Sequence, residues 1–463
     1  MKNKYWFILL GLHVVLTGLF LPDFLAQSSF VLPLDDDLLQ YMAEPKDDPV
    51  AKLQREINSG KVQLEYSPAH GYLSSVLREL QIPLSSQVLV FSKTSFQQQL
   101  ISPSAPRALY FNDNVYIGWV QGGEVIEVSS VDPEKGAIFY TLDQRKAASP
   151  KFVRREECLQ CHASPNTSGV PGHIVRSVYP DHEGIPQLRA GSFRTDDSSP
   201  LKERWGGWYV TGTHGTQRHM GNIIVADKEH PENMDREKGA NITNLGSLVD
   251  VAPYLRPHSD IVGLMVLEHQ VRMHNLLTRI NWETRLAISQ QEAMNRALGL
   301  PLEHLSDATE RRINNAVESG LRYMLFTDEA KLADAVKGTS GFEEEFSRKG
   351  PQDHNGRSLR DFDLKTRLFR YPCSFLIYSE AFDSLPKVAQ ERLFRRLWEV
   401  LSGQDASKDY ASLTDTDRKA IFQILLDTKP NLPAYWMSDQ SKFSRSHPQR
   451  ISAETKNTST AAR

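Results

Sequence analysis

From about residue 86 the chain runs in short, apolar, β-rich stretches. Residues 88–91, 108–111, 115–120, 124–128 and 137–142 are each a strand's length. Turn residues part them: Asn112-Asp113-Asn114, Gly122-Gly123 and Asp132-Pro133. Further strand-like runs are expected at 174–179, 187–190, 208–213 and 222–225. Ahead of these, residues 50–57 and 74–80 have helical spacing.

After Pro253 the period changes. Over 260–293 the apolar residues Ile261, Leu264, Met265, Leu267, Val271, Leu276, Leu277 and Ile280 recur at helix spacing. Residues 310–327 and 332–336 continue in that mode, and 386–401 is amphipathic. Thr414 and Asp417 form a capping-box start for a helix over 418–426, stopped by Pro430 and Pro433. The pattern predicts an α+β protein: a strand-rich domain over 60–250, then an α-helical domain over 251–440.

The ends differ from this body. Lys2 and Lys4 precede an apolar run over 7–21, the layout of a secretory signal (residues 1–26) or of an N-terminal membrane anchor. An exported, periplasmic location follows, with anchoring to the cytoplasmic membrane through 7–21 as the variant. Residues 27–59, acidic with Pro45 and Pro49, are expected to act as a linker. Residues 441–463, rich in Ser, Thr and basic side chains, are expected to be a disordered tail. A net charge of −3 over 463 residues gives no argument for nucleic acid, and 40% hydrophobic residues suffice for real cores.

Cysteine is scarce. Two of the three stand in Cys158-Leu159-Gln160-Cys161-His162. C-x-x-C-H is the attachment signature of c-type haem: two thiols form thioethers with the vinyl groups, and the histidine binds the iron as proximal ligand. Three other readings fit less well. A thioredoxin-like redox pair expects a strand just before it, whereas Arg154, Arg155, Glu156 and Glu157 are polar. A zinc site lacks a second ligand pair nearby. A disulfide would close too short a loop. The third cysteine, Cys373, is expected to be a buried free thiol.

A second axial ligand is sought in 211–222, a glycine-bearing loop that holds His214, His219 and Met220. Met220 or His219 is the preferred distal candidate, against a purely local packing role for each. A second stripe, Met265, His269 and Met273, lies at i, i+4 and i+8 on one helix face. Core packing is the commoner reason for such a stripe. His274 lies off that face, and Glu268 has no E-x-x-H partner, so a di-iron bundle site is not expected.

On Cys158, Cys161 and His162 the chain resembles the c-type cytochromes. The wider chain is similar to exported bacterial proteins that carry one such motif and a long helical half. The resemblance covers five residues and implies covalent haem c held by Cys158 and Cys161, with His162 on the iron. In small class I cytochromes the motif opens a short helical domain. Here well over a hundred residues precede it and strands flank it, so that fold is not carried across. On architecture alone, a PAS-like haem sensor domain is an alternative. Two functions follow as expectations: a periplasmic electron-transfer cytochrome with an unnamed redox partner protein, or a haem enzyme or sensor with an open distal iron site.

Overall fold

The computed structural model describes residues 31–45, 47–405 and 407–438. The expected signal or anchor (1–26) and the expected tail (441–463) lie outside the described residues. Among those described, no helix is long and apolar enough to cross a membrane.

Six strands form one antiparallel meander in sequence order: β1 Val88–Val90, β2 Arg107–Phe111, β3 Val115–Trp119, β4 Val125–Asp132, β5 Gly136–Asp143 and β6 Phe152–Arg154. Side chains alternate between the two faces. Ile117, Ile126, Val128, Ile138, Tyr140 and Leu142 point to one side and share a core with helix α1 (Pro49–Asn58) and helix α2 (Leu73–Glu79). Glu127, Ser129, Phe139 and Thr141 alternate with them and point to the other side.

The expected linker therefore contains packed structure. Val50, Leu53 and Ile57 recur on one helix face and are buried. Asp48 caps that helix: its Oδ1 accepts from the amides of Val50 (3.0 Å) and Ala51 (3.1 Å). Its Oδ2 accepts from Tyr140 Oη at 2.8 Å, so one buried carboxylate fixes both helix start and sheet.

After the sheet come α3 (Leu159–His162) and a two-stranded ribbon, β7 (Arg176–Val178) with β8 (Ser192–Arg194). The strand expected at 187–190 is a 3₁₀ turn over Leu188–Ala190. Those expected at 208–213 and 222–225 are irregular. The backbone at 207–213 is paired, but its partner changes every residue or two. Gly207 O accepts from Phe91, and Tyr209 N, Thr211 N and Gly212 N donate to Leu89, Ser259 and Ile242, so no ladder forms.

Helix α4, Ile261–Leu298, runs 38 residues, about 57 Å at the α-helical rise. Asp260 caps its start, accepting from Val262 and Gly263, and Gly299 ends it at φ +67°. It is buried almost all round through residue 287, the mark of a central helix. Helices α5 (Asp307–Met324), α6 (Phe342–Arg348), α7 (Glu380–Asp383), α8 (Lys387–Leu401) and α9 (Asp415–Thr428) gather beside it. The capping box at Thr414 and Asp417 is present. Residues 332–336 are not helical; Leu332 and Val336 donate instead to the carbonyls of Thr366 and Leu364.

The architecture is α+β, with the sheet first and the helices after it. One apolar core contains Val88, Phe111, Tyr116 and Val131 of the sheet together with α4, α5, α8 and α9. It runs through the expected boundary at residue 250.

Asp48→Ala should cost about 2–4 kcal/mol, adding a lost cap to an unsatisfied buried Tyr140 hydroxyl. Asp48→Asn should cost less, and urea unfolding of the two variants compares them.

Candidate functional site

Arg155 and the residues after it turn off the sheet edge beside β5, where Arg155 N donates to Phe139 O. A 3₁₀ turn at Glu156–Cys158 runs into α3, which is a single turn long. Cys158 stands at its N-cap and Cys161 within it, so one helical turn separates the two sulfurs. Both are free thiols. Burial, with the nearby Glu127 and Glu157 carboxylates, pushes the Cys158 thiol up to about 11. A redox-active C-x-x-C depresses its first thiol instead, so the electrostatics do not suit thiol–disulfide exchange.

His162 ends the turn with its ring against Phe139, centroids 4.8 Å apart. Its Nδ1 lies 2.9 Å from Gly172 O. A carbonyl can only accept, so Nδ1 carries the proton and Nε2 keeps a lone pair. Burial holds the imidazole below its usual pKa, in the neutral form that a metal ligand requires.

That carbonyl is fixed by a helix distant in the chain. Asn275 of α4 brackets residue 173: its Oδ1 accepts from His173 N at 2.9 Å and its Nδ2 donates to His173 O at 2.7 Å. The side chain packs so closely on Gly172 that a Cβ there would overlap Asn275 Oδ1. Two arginines of α4 grip the same segment. Arg272 Nη1 donates to Ser168 Oγ (2.7 Å) and Arg279 Nη1 to Ser168 O (2.6 Å).

His173 is the residue that sequence reasoning missed. Its ring packs on Tyr116 at 4.3 Å, its Nε2 meets Ser129 Oγ at 2.6 Å, and its Nδ1 has no hydrogen-bond partner. Burial, then the charges of His162 and His274, hold it well below the usual imidazole range. It follows Gly172 and so backs His162 on the Nδ1 side. A spacing of eleven residues from His162 is not a ligand signature.

The distal candidates have other partners. His214 uses both ring nitrogens: Nδ1 donates to Gln217 O (2.8 Å) and Nε2 accepts from Asn241 N (2.9 Å). His219 Nδ1 accepts from Gly221 N at 3.0 Å, and its ring packs on Trp205 and His214. Met220 Sδ lies 3.6 Å from Ser177 Oγ, in a small apolar cluster with Tyr179 and Val225. All three side chains are buried.

On α4, Met265 and Met273 are core. His269 stacks between Tyr323 and Phe326 and bridges Asp197 Oδ2 (2.8 Å at Nδ1) and Ser374 Oγ (2.8 Å at Nε2). Burial lowers His269 to about 3 and raises Asp197 well above the carboxylate range. The order Ser–His–Asp is that of a hydrolytic triad, but Ser374 and His269 are wholly enclosed and offer no face to a substrate. Cys373 beside them is buried and free, as expected, and burial pushes its thiol up.

Beside the motif, Arg107 and Glu127 pair at 2.6 Å. Ser95 and Gln97 both donate to Glu127, which places the exposed Phe96 (66%) between them at this edge. Lys93 N donates to Gly184 O, tying to the same segment the turn that carries exposed Ile185 and Leu188.

Among the described residues, one group of His and acidic side chains is close enough for a metal: Asp353, His354 and Asp427. Asp353 is already paired with Arg357 and His354 with Asp427.

No protein-family model matches the chain, and no curated protein or solved structure is significantly similar to it.

His274 supplies a pH test of this packing. Its Nε2 donates to Asp113 O at 2.7 Å, and burial pushes its pKa down to about 4. Above pH 6.5 it is neutral in both folded and unfolded chains. Between 6.5 and 4 only the unfolded chain takes up the proton. Relative to His274→Asn, the wild type should therefore lose about 1.4 kcal/mol per pH unit across that window. Urea midpoints of both proteins at pH 7.5 and pH 5 give the difference.

Proposed function

We propose that the protein is a c-type cytochrome that carries one covalent haem c on Cys158 and Cys161 and transfers electrons. The observation that carries the reading is the His162–Gly172 hydrogen bond. It leaves a neutral imidazole with its Nε2 lone pair unprotonated, at the end of a single turn that bears two free thiols. An orienting bond at the other ring nitrogen is what a ligating histidine requires.

The surroundings support the same reading. Phe96 is exposed apolar surface between two residues bonded to Glu127, whose charge reaches Cys158, and is surface that a flat hydrophobic cofactor would cover. Arg107 and Arg155 are cations close enough to act on Cys158, and suit the propionates of such a cofactor. Bound there, the iron supplies a one-electron couple. The protein's part is to hold His162 rigid and neutral and to set the polarity around it.

A second reading is favoured by the partners of His214, His219 and Met220. Their engagement supports an iron with an open distal position, as in a haem sensor or enzyme. In either case the protein acts outside the cytoplasm, with a redox partner or a small diatomic ligand respectively.

Expression in an exporting host with haem-attachment machinery should give a c-type spectrum that survives acid extraction. Cys158→Ser/Cys161→Ser should abolish it, and haem still held covalently in that variant would overturn the proposal. Carbon monoxide separates the two readings. An unchanged reduced spectrum indicates two firm axial ligands and electron transfer, and a shifted one an accessible iron.

A further inference from the structure

We propose that the cleft between the end of β8 and helices α4 and α5 binds a small oxyanion, a carboxylate or a phosphate, between Arg194 and Arg272. The cleft has a volume of 730 Å³, within the range of small-molecule sites, and is distinct from the thiol-bearing turn.

The charge balance at one end is uneven. Arg194, Arg272, Arg279 and Arg312 all line it. Glu283 is shared, its Oε1 accepting from Arg279 (3.0 Å) and its Oε2 from Arg312 (2.6 Å). Asp196 makes a loose ion pair with Arg272, 4.0 Å from its Nε and too far for a hydrogen bond. Asp197, the remaining acid at that end, is buried against His269.

Arg272 is the telling residue. Its Nη1 is spent on Ser168, but its Nε–H is buried without a hydrogen-bond partner. An unmatched guanidinium donor is costly in a folded protein unless something accepts from it. The charge of Arg194 reaches Arg272 and, after burial, is the largest influence lowering its pKa. Both arginines line the cleft, and the charge of Asp196 and Asp197 offsets only part of the repulsion. Arg194 is exposed and pairs with no carboxylate among the described residues. An oxyanion between the two would accept from Arg194 and from Arg272 Nη2, which makes no hydrogen bond among the described residues, and would neutralise the repulsion.

The far end of the cleft limits the size of the ligand. Glu318, Asp328 and Asp409 line it around Arg322. A long polyanion would meet these carboxylates, so the site fits a compact anion and not a nucleic acid strand.

The test is calorimetric titration of the full chain in low-salt zwitterionic buffer, with sodium succinate and sodium phosphate as separate probes. Saturable one-to-one binding of at least one probe is expected, and which one binds identifies the anion class. Arg194→Gln and Arg272→Gln should each weaken it at least tenfold, while Arg189→Gln, at an exposed arginine outside the cleft, should leave it unchanged. Arg194 is exposed, so its variant tests the site even if the Arg272 variant fails to fold. Absence of heat with both probes overturns the proposal. So does equal weakening in Arg189→Gln, which would mean diffuse surface charge. Calorimetry reads the site whether or not haem is attached.

Discussion

The arrangement around residue 173 rests on one amide. Asn275 matches its carbonyl and amino group to the N–H and C=O of His173, and this two-point grip fixes the carbonyl of Gly172 one residue earlier. That carbonyl decides which nitrogen of His162 carries the proton. A buried amide is rigid only when both its ends are satisfied. Here both are, and the helix supplying it is buried almost all round through residue 287. The chemistry of a short exposed turn is thereby set by a helix about a hundred residues away in sequence.

This grip explains why sheet and helices share a core. Gln270, His274 and Asn275 reach the β2–β3 turn and the segment after the motif, Gln270 bonding Asn112 O and Tyr116 Oη and His274 bonding Asp113 O. A helix that must meet polar backbone at several points cannot slide, since any shift would leave buried donors and acceptors unpaired. Burial around Tyr116, Val131 and Met273 then supplies the apolar part of the same interface.

Much of this was legible in the sequence, for physical reasons. The first five strands of the meander showed because they are local, parted by Asn-Asp-Asn, Gly-Gly and Asp-Pro turns, and α4, α5, α8 and α9 showed because their periods are long. The sixth strand, Phe152–Arg154, was not expected, because the polar run from Arg154 hides it, so the absence of a strand before the motif no longer counts against a redox pair. The motif was legible because spacing alone defines it. What failed depended on partners distant in the chain. Residues 208–213 look like a strand but draw their hydrogen bonds from four different segments. Residues 332–336 look helical but bond to 364–366. The helix at 50–57 showed in its spacing, but 27–59 as a whole looked like a linker because nothing local tells that the helix packs on the sheet and that Asp48 bonds Tyr140. His173 and Asn275 carry no spacing that could announce them, because their roles exist only where α4 crosses the chain.

The separation of 102 residues between His173 and Asn275 also sets an order of events in a chain that emerges from its N-terminus. The meander needs only neighbouring contacts and can form as it appears. Cys158, Cys161 and His162 follow while the helix that will hold them is still unmade. For that interval the imidazole can choose either proton position and the two thiols are unconstrained. Once residue 275 arrives, the segment is gripped and the choice is closed. The folded protein thus fixes a proton position that its growing chain leaves open.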